Sequence, residues 1–153
     1  MPTPESGADF LTLPRIRSAA VVAMFAGVPR RRKREREAPK RRWRDYRTRA
    51  GRRPIKEFLD KLSDEDAADV VAAMGEVQKL GIAAAKHVER EIYEVKAEGD
   101  RQTFRVLFAQ EGEHDQVLLA LVGLSKKQQK LPREAIDLAT RRLRDWRSRG
   151  RKD

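Results

Sequence analysis

The spacing of apolar residues changes from a helical period to a strand period midway along the chain, which restricts the fold to a mixed architecture. Pro54 suits the first turn of a helix and precedes a helical stripe of Ile55, Phe58, Leu59 and Leu62. A second stripe follows the capping sequence Ser63-Asp64-Glu65-Asp66, stops at Gly81 and contains Ala67, Val70, Val71, Met74 and Val77. The two amphipathic segments predict a helical hairpin.

After a loop through His87, apolar residues alternate with the period of a strand. We predict strands over 92–96 and 103–110, joined by the turn sequence Glu98-Gly99-Asp100-Arg101. Residues 116–125 are almost wholly apolar, as in a central strand buried on both faces. Alternation over 43–48 predicts a first or edge strand, and Pro132 opens a last helix with Ile136, Ala139, Leu143 and Trp146 inward. The order β-α-α-β-β-β-α predicts a small α+β domain with a mainly antiparallel sheet and helices packed on one face.

The charge surplus lies in the first third of the chain. The 153 residues carry 35 Lys and Arg against 24 Asp and Glu, a net charge of +11, and residues 54–153 are neutral overall. Within that region residues 54–125 carry a net charge of −7 and residues 126–153 carry +7. This polarity favours a phosphate-bearing partner on the basic side. The absence of cysteine excludes a disulfide framework, a cysteine nucleophile and thiolate zinc sites. Only two histidines and no metal-ligand cluster are present, and no glycine-rich phosphate loop occurs, so we expect no metal and no small-molecule cofactor. The lack of a long apolar run argues against a membrane partner.

Residues 1–40 are predicted to lie outside the folded domain, which spans 41–150. Proline and glycine interrupt this segment, and it contains the run Arg30-Arg31-Arg32-Lys33-Arg34. We interpret it as a disordered basic leader. Two alternatives stay open: a signal peptide built on the apolar run 19–28, and a start codon placed too far upstream, since Met24 would also serve.

The predicted β-hairpin brings charged residues together. If Gly99-Asp100 is a two-residue turn, Glu94 lies opposite Arg105, and Lys96 lies opposite Thr103 on the same face. The alternating apolar residues Tyr93, Val95, Phe104, Val106 and Phe108 would then pack against the helices. The face with Lys96 and Arg105 is a candidate phosphate-binding surface. The alternative is a cross-strand ion pair between Glu94 and Arg105.

A second cationic group precedes the last helix. Lys126, Lys127 and Lys130 lie where a strand ends and a helix begins, a position that attracts anions, although a solvated basic loop explains them equally well. His114 lies in a predicted hairpin loop, where exposure is the expected state. His87 precedes the second strand as a weaker candidate for substrate contact.

Four segments occur in an order and spacing that match a known family: Gly51-Arg52-Arg53-Pro54-Ile55-Lys56-Glu57-Phe58-Leu59, Ile92-Tyr93-Glu94-Val95-Lys96, Phe104-Arg105-Val106-Leu107-Phe108 and Gly123-Leu124-Ser125-Lys126-Lys127-Gln128-Gln129-Lys130-Leu131-Pro132. The chain from Tyr46 to Trp146 resembles the RelE/ParE toxin superfamily, and within it the phage-derived HigB-like branch. The last segment is the most specific and is close to the family pattern His-Gly-Phe-x-Lys-Lys-Thr-x-Lys-Thr-Pro. Val122 and Leu124 replace the histidine and the aromatic residue of that pattern, and Gln128 and Leu131 replace its threonines.

The resemblance implies the toxin of a type II toxin–antitoxin pair, a cytoplasmic, ribosome-dependent and metal-independent mRNA endoribonuclease. Arg105 matches the strand arginine that neutralises the scissile phosphate. Lys96 stands where the branch has arginine and would hold phosphate or act as a base. Lys126 and Lys127 match the lysine pair that grips RNA. The implied partners are a helix-turn-helix antitoxin, mRNA and the ribosome.

A non-cleaving protein of the same fold is the alternative function, whether a gyrase inhibitor, a degenerate toxin or an RNA-binding module. The replacements at Val122 and Leu124 favour this alternative because they remove groups suited to proton transfer and base stacking. The gyrase-directed subclass is disfavoured by the cations Lys96, Arg105, Lys126 and Lys127. An unrelated basic domain is a third hypothesis.

Overall fold

A computed structural model of the protein describes residues 40–126 and 130–150, without the side chain of Lys126. Its elements are β1 (Arg42–Asp45), α1 (Pro54–Asp60), α2 (Asp64–Leu80), a 3₁₀ turn (Gly81–Ala84), β2 (Lys86–Glu89), β3 (Ile92–Glu98), β4 (Thr103–Glu111), β5 (Val117–Lys126) and α3 (Arg133–Ser148). The predicted leader, 1–40, lies outside the described residues except for Lys40.

The five strands form one sheet in the order β1-β5-β4-β3-β2. Neighbouring strands are antiparallel except β1 and β5, which are parallel. The predicted α+β class with a mainly antiparallel sheet is therefore confirmed. The predicted loop through His87 was wrong, because residues 86–89 add an edge strand beside β3.

The predicted helical hairpin is confirmed, and so are the residues predicted to begin and end its helices. Pro54 occupies the first turn of α1, and Ile55 and Leu59 of its apolar stripe are buried. The Ser63 hydroxyl accepts a hydrogen bond from the Asp66 amide at 3.1 Å and caps α2. Gly81 ends α2 with a φ of +79°, a conformation that glycine adopts without steric cost.

One face of the sheet, the α1–α2 face, carries an apolar core that α1 and α2 cover. Trp43 and Phe108 lie edge to face with ring centroids 5.1 Å apart, and both are fully buried. The Trp43 indole N–H donates to the Met74 carbonyl at 2.9 Å, which ties β1 to α2. The core residues of this face are Trp43, Ile55, Leu59, Val70, Met74, Val77, Val95, Ala97, Phe104, Val106, Phe108, Leu118 and Ala120.

The opposite face, the α3 face, is covered by the last helix, so the predicted packing of all helices on one face was wrong. Its apolar cluster contains Tyr46, Ile92, Leu107, Ala109, Leu119, Leu121, Val122, Ala139 and Leu143. The physical reason is the near-continuous apolar sequence of β5. A strand of this kind needs cover on both of its faces, and one layer of helices supplies only one.

The β3–β4 hairpin has a different register from the predicted one. Lys96 pairs with Arg105, whereas Glu98 and Thr103 form the last pair, so the loop is Gly99–Gln102 instead of the two residues Gly99-Asp100. The Gly99 amide donates to the Gln102 carbonyl at 2.9 Å and closes this loop. A shift of two residues preserves which face each side chain occupies, because strand side chains alternate. The predicted division of β3 and β4 into two faces is therefore confirmed.

Candidate nucleic-acid interface

Lys96 and Arg105 lie side by side on the α3 face of the central hairpin. They are directly paired across β3 and β4, and the pair next to them, Ala97 and Phe104, points into the core of the opposite face. Leu124 of β5 pairs with Arg105 from the other side. The register thus places two cations and one apolar side chain in a single row.

Arg105 is buried, which corrects the predicted outward position of this residue. Its side chain is 4% exposed and that of Glu94 is 3% exposed, and the Arg105 guanidinium donates to the Glu94 carboxylate at 2.8 Å. The alternative of a cross-strand ion pair is therefore confirmed. The pair is diagonal instead of directly opposed, since Glu94 faces Leu107 and Arg105 faces Lys96.

Lys96 is the exposed cation of this row, and Lys86 is a second exposed cation that sequence reasoning missed. Lys86 pairs with Glu94 across β2 and β3, so it stands on the α3 face on the far side of that carboxylate. Short alternation over Lys86–Glu89 was the available signal. Its four residues gave too little periodicity to separate a strand from a loop.

The predicted lysine group lies partly beyond what the structure describes. The backbone of Lys126 ends β5 and pairs with Thr103, two residues past the row of Lys96 and Arg105. The Lys126 side chain and Lys127 are outside the described residues. Lys130 is exposed just before α3. The structure thus brings the end of β5 close to the Lys96 row and places Lys130 in the segment leading into α3.

The two histidines are separated. His87 lies on β2, where its Nε2 is 2.7 Å from the Arg90 carbonyl and its ring lies edge to face with Tyr93. His114 is exposed in the β4–β5 loop, as predicted. Over residues 40–126 and 130–150, no three histidine, aspartate or glutamate side chains form a group that could hold a metal ion.

Two arginines of α3 are paired with carboxylates of the sheet strands and their connections. Arg133 binds both oxygens of Glu89 at 2.8 Å, and Arg147 binds the buried carboxylate of Glu111 through Nε at 3.0 Å. Arg147 also contacts Glu91 at 2.7 Å. These bonds fix the two ends of α3 against β2, the β2–β3 connection and β4.

Arg142, in the middle of α3, has a different environment. It donates to the main-chain carbonyl of Leu121 at 2.7 Å, where the β4–β5 ladder has a bulge. Its guanidinium lies 5.6 Å from the centre of the Tyr46 ring. Burial, and secondarily the charges of Arg141 and Arg52, lower the pKa of the Arg142 guanidinium, although Tyr46 and Glu57 oppose the shift.

Tyr46 links β1 to the end of α3. Its hydroxyl donates to Asp145 at 2.6 Å, and Asp145 also accepts from Arg49 at 3.1 Å and from Arg149 at 2.7 Å. The hydrogen bond from Tyr46 is the main cause that holds the pKa of Asp145 below its usual value. Burial, followed by the bond to Asp145, raises the pKa of Tyr46. We call this group the Arg142 cluster: it contains Tyr46, Asp145 and the guanidinium groups of Arg49, Arg142 and Arg149.

Comparisons with known proteins assign this fold to a family. The family model described as Phage derived protein Gp49-like matches residues 57–144, from α1 to the last turns of α3. The chain belongs to the Gp49-like family. This result confirms the resemblance to the HigB-like branch of the RelE/ParE toxins.

Named relatives of this Gp49-like chain occur in two strains of Mycobacterium tuberculosis, in each case as a protein called probable endoribonuclease HigB1. Each is 33% identical over 107 residues, which cover 68% of this chain and 83% of the relative.

In the part of the chain that the structure describes, no helix is long and apolar enough to cross a membrane.

One residue of the family pattern has a structural explanation. Gly123 lies on the α1–α2 face of β5, and a Cβ at this position would clash with the ring of Phe58 on α1. The glycine therefore lets α1 approach the sheet closely. The pattern histidine is replaced by Val122, which is 6% exposed within the apolar cluster of the α3 face.

Proposed function

We propose that this Gp49-like chain is the toxin of a type II toxin–antitoxin pair and cleaves mRNA in the cytoplasm as an endoribonuclease. The observation that carries the proposal is the exposed Lys96, held beside Arg105 on the strand pair of a chain related to a probable endoribonuclease. The exposed Lys86 on the neighbouring strand adds positive charge to the same face.

The proposed reaction needs no metal. The ribose 2′-oxygen forms a bond to the adjacent phosphorus, the bond to the 5′-oxygen breaks, and the leaving oxygen receives a proton. The protein must position the phosphate, accept the 2′-proton and neutralise charge on the pentacovalent phosphate. Lys96 is placed to contact that phosphate from the exposed rim of the row.

Arg105 has a conditional role in the proposal. Its guanidinium is bound to Glu94, so a phosphate reaches it only when that bond is exchanged or extended. A buried cation next to the reacting phosphate acts strongly, because low local polarity strengthens electrostatic interactions. Further phosphates of the RNA, next to the one at Lys96, would be bound by Lys126, Lys127 and Lys130. A helix-turn-helix antitoxin that covers this face, and the ribosome as the place of cleavage, complete the proposal.

The test is mapping of mRNA 5′ ends after brief induction of the wild-type chain, Lys96→Gln and Lys79→Gln. Lys79 is the matched control because it is an exposed lysine in the last turn of α2. We expect new 5′-hydroxyl ends with wild type and Lys79→Gln, few with Lys96→Gln, and partial recovery with Lys96→Arg. Equal cleavage by the Lys96→Gln and Lys79→Gln variants would exclude Lys96 from the reaction.

Two further measurements test the finer parts of the proposal. Purified protein that has been treated with EDTA and then desalted should cleave mRNA as fast as untreated protein when it is added to ribosomes in magnesium buffer without other divalent metals, if the reaction is ribosome-dependent and uses no metal held by the protein. Cleavage of naked mRNA at the same rate would remove the ribosome from the proposal. Loss of cleavage with intact ribosomes, restored by adding back one metal, would remove metal independence.

The second candidate function is a non-cleaving binding protein of the same fold. Two observations favour it: the burial of Arg105 against Glu94, and the buried Val122 in place of the pattern histidine. Growth arrest by the wild-type chain without any new mRNA 5′ end would support this candidate over the endoribonuclease.

A further inference from the structure

Arg142 is a half-buried cation that forms no ion pair with a carboxylate in the described part of the chain. Among the described residues it contacts the Leu121 carbonyl and the face of the Tyr46 ring, and no carboxylate lies within ion-pair distance of it. Burial already lowers the pKa of this guanidinium. A cation in this position becomes more stable when an anion binds beside it.

The surroundings of Arg142 add positive charge. Arg149 lies 5.5 Å from the centre of the same Tyr46 ring, and its Nε is buried without a hydrogen-bond partner among the described residues. Arg49 is 71% exposed and reaches into the cluster through Asp145. The carboxylates Asp145 and Glu57 are engaged by Tyr46, Arg49, Arg149 and Arg52, and so leave an excess of guanidinium groups.

The cluster is held in place before any ligand arrives. Tyr46 is buried in the apolar cluster of the α3 face, and its hydroxyl donates to Asp145. The Leu121 carbonyl holds Arg142 at the bulge of β5. Rigid placement lowers the entropy lost when a ligand binds. A loose group of surface arginines would lack this property.

We infer that Arg142, with Arg149 on the same Tyr46 ring, forms a second phosphate site that binds the backbone of the RNA whose cleavage we propose. This inference rests on the proposed function. Leu121, which anchors Arg142, is three residues before Leu124, the partner of Arg105, or about 10 Å along β5. One RNA strand can therefore contact both the Lys96 row and the Arg142 cluster. A phosphate contact of this kind positions the chain without reading its sequence.

The test uses binding of a single-stranded 2′-O-methyl RNA of about 12 nucleotides, measured by fluorescence anisotropy at several salt concentrations. We expect Arg142→Gln to raise the Kd about tenfold, the loss of one charge-assisted contact. The slope of log K against log salt should fall by about 0.7. Arg144→Gln is the matched control, because Arg144 is an exposed arginine of α3 that loses the same charge. Equal effects of the two variants would overturn the inference.

A second variant tests the same site by removing a negative charge, which should strengthen the binding of RNA. The Glu57 side chain is 39% exposed and pairs with Arg52 at 2.7 Å, so we expect the Glu57→Gln variant to fold and to carry less negative charge near Arg142. We expect this variant to lower the Kd roughly threefold at low salt. An unchanged Kd would overturn the inference even if the Arg142→Gln variant failed to fold.

The probe separates this inference from the proposed function, because a 2′-O-methyl group cannot attack the phosphate. If binding depends on Arg142 but the wild-type chain cleaves no mRNA, the endoribonuclease proposal fails and the phosphate site stands. If mRNA is cleaved but the Arg142→Gln and Arg144→Gln variants bind equally, the phosphate site fails and the endoribonuclease proposal stands.

Discussion

The two faces of the sheet bury different kinds of side chain. The α1–α2 face holds an apolar core with the rings of Trp43, Phe104 and Phe108. The α3 face also has an apolar cluster. In addition, this face buries the charged side chains of Glu94, Arg105 and Glu111. Apolar burial stabilises in proportion to area, whereas buried charges stabilise only when each has its partner. The comparison shows that apolar burial stabilises both faces, and that the α3 face in addition keeps charged side chains in fixed positions.

The largest expected effect comes from the aromatic core of the α1–α2 face. Phe104→Ala should lower the free energy of unfolding by about 3–5 kcal/mol, because the fully buried ring leaves a cavity. Denaturant unfolding followed by circular dichroism measures the change. A midpoint equal to that of wild type would show that this face does not hold the main core.

Breaking the buried ion pair of the α3 face should have a comparable effect. Arg105→Ala leaves the Glu94 carboxylate buried without its partner and should cost about 3–5 kcal/mol of unfolding free energy. Lys96 lies next to Arg105 in the same row but is exposed. Lys96→Ala should therefore change the free energy of unfolding by less than about 0.5 kcal/mol. Thermal melts of the two variants compare them directly. Similar melts would mean that the pair adds nothing to the fold.

This expectation changes how Arg105 can be tested. A loss of growth arrest in the Arg105→Ala variant would report unfolding as readily as lost chemistry. The double variant Glu94→Met with Arg105→Met removes both charges and should stay near wild-type stability, since an apolar pair of similar volume replaces them. A double variant that folds and still cleaves mRNA would remove Arg105 from the reaction.

A smaller effect is expected at the contact between α1 and β5. Gly123→Ala should destabilise by about 1–3 kcal/mol, because its methyl group would clash with the Phe58 ring. Adding Phe58→Leu should recover part of the loss. If the double variant were less stable than the sum of the single changes, the clash with Phe58 would not be the cause.

The smallest effect concerns the polar end of the α3 face. The pKa of Asp145 is depressed in the folded chain, mainly by the Tyr46 hydroxyl, so its contribution to stability is present above the usual carboxyl pKa of about 4. It is lost as the pH falls through the lower folded value. Asp145→Asn should flatten the acid side of the stability–pH curve. A curve of unchanged shape below pH ~4 would contradict this assignment.

Sequence reasoning located most elements because their signals are local. The stripe after Pro54 and the Ser63 cap set the two helices, and the alternation after Glu91 predicted the strand pair β3 and β4. The edge strand Lys86–Glu89 was missed because four residues carry too little periodicity. Lys86 was therefore absent from the predicted cationic face.

The amino-acid sequence by itself determined the α+β class, the family and the face on which each residue of β3 and β4 lies, because side-chain alternation survives a two-residue change of register. Only the tertiary structure decided that α3 covers the opposite face and that Arg105 is buried against Glu94 while Lys96 is exposed. Burial and ion pairing depend on how distant segments pack over a strand. A period of two residues cannot encode that packing.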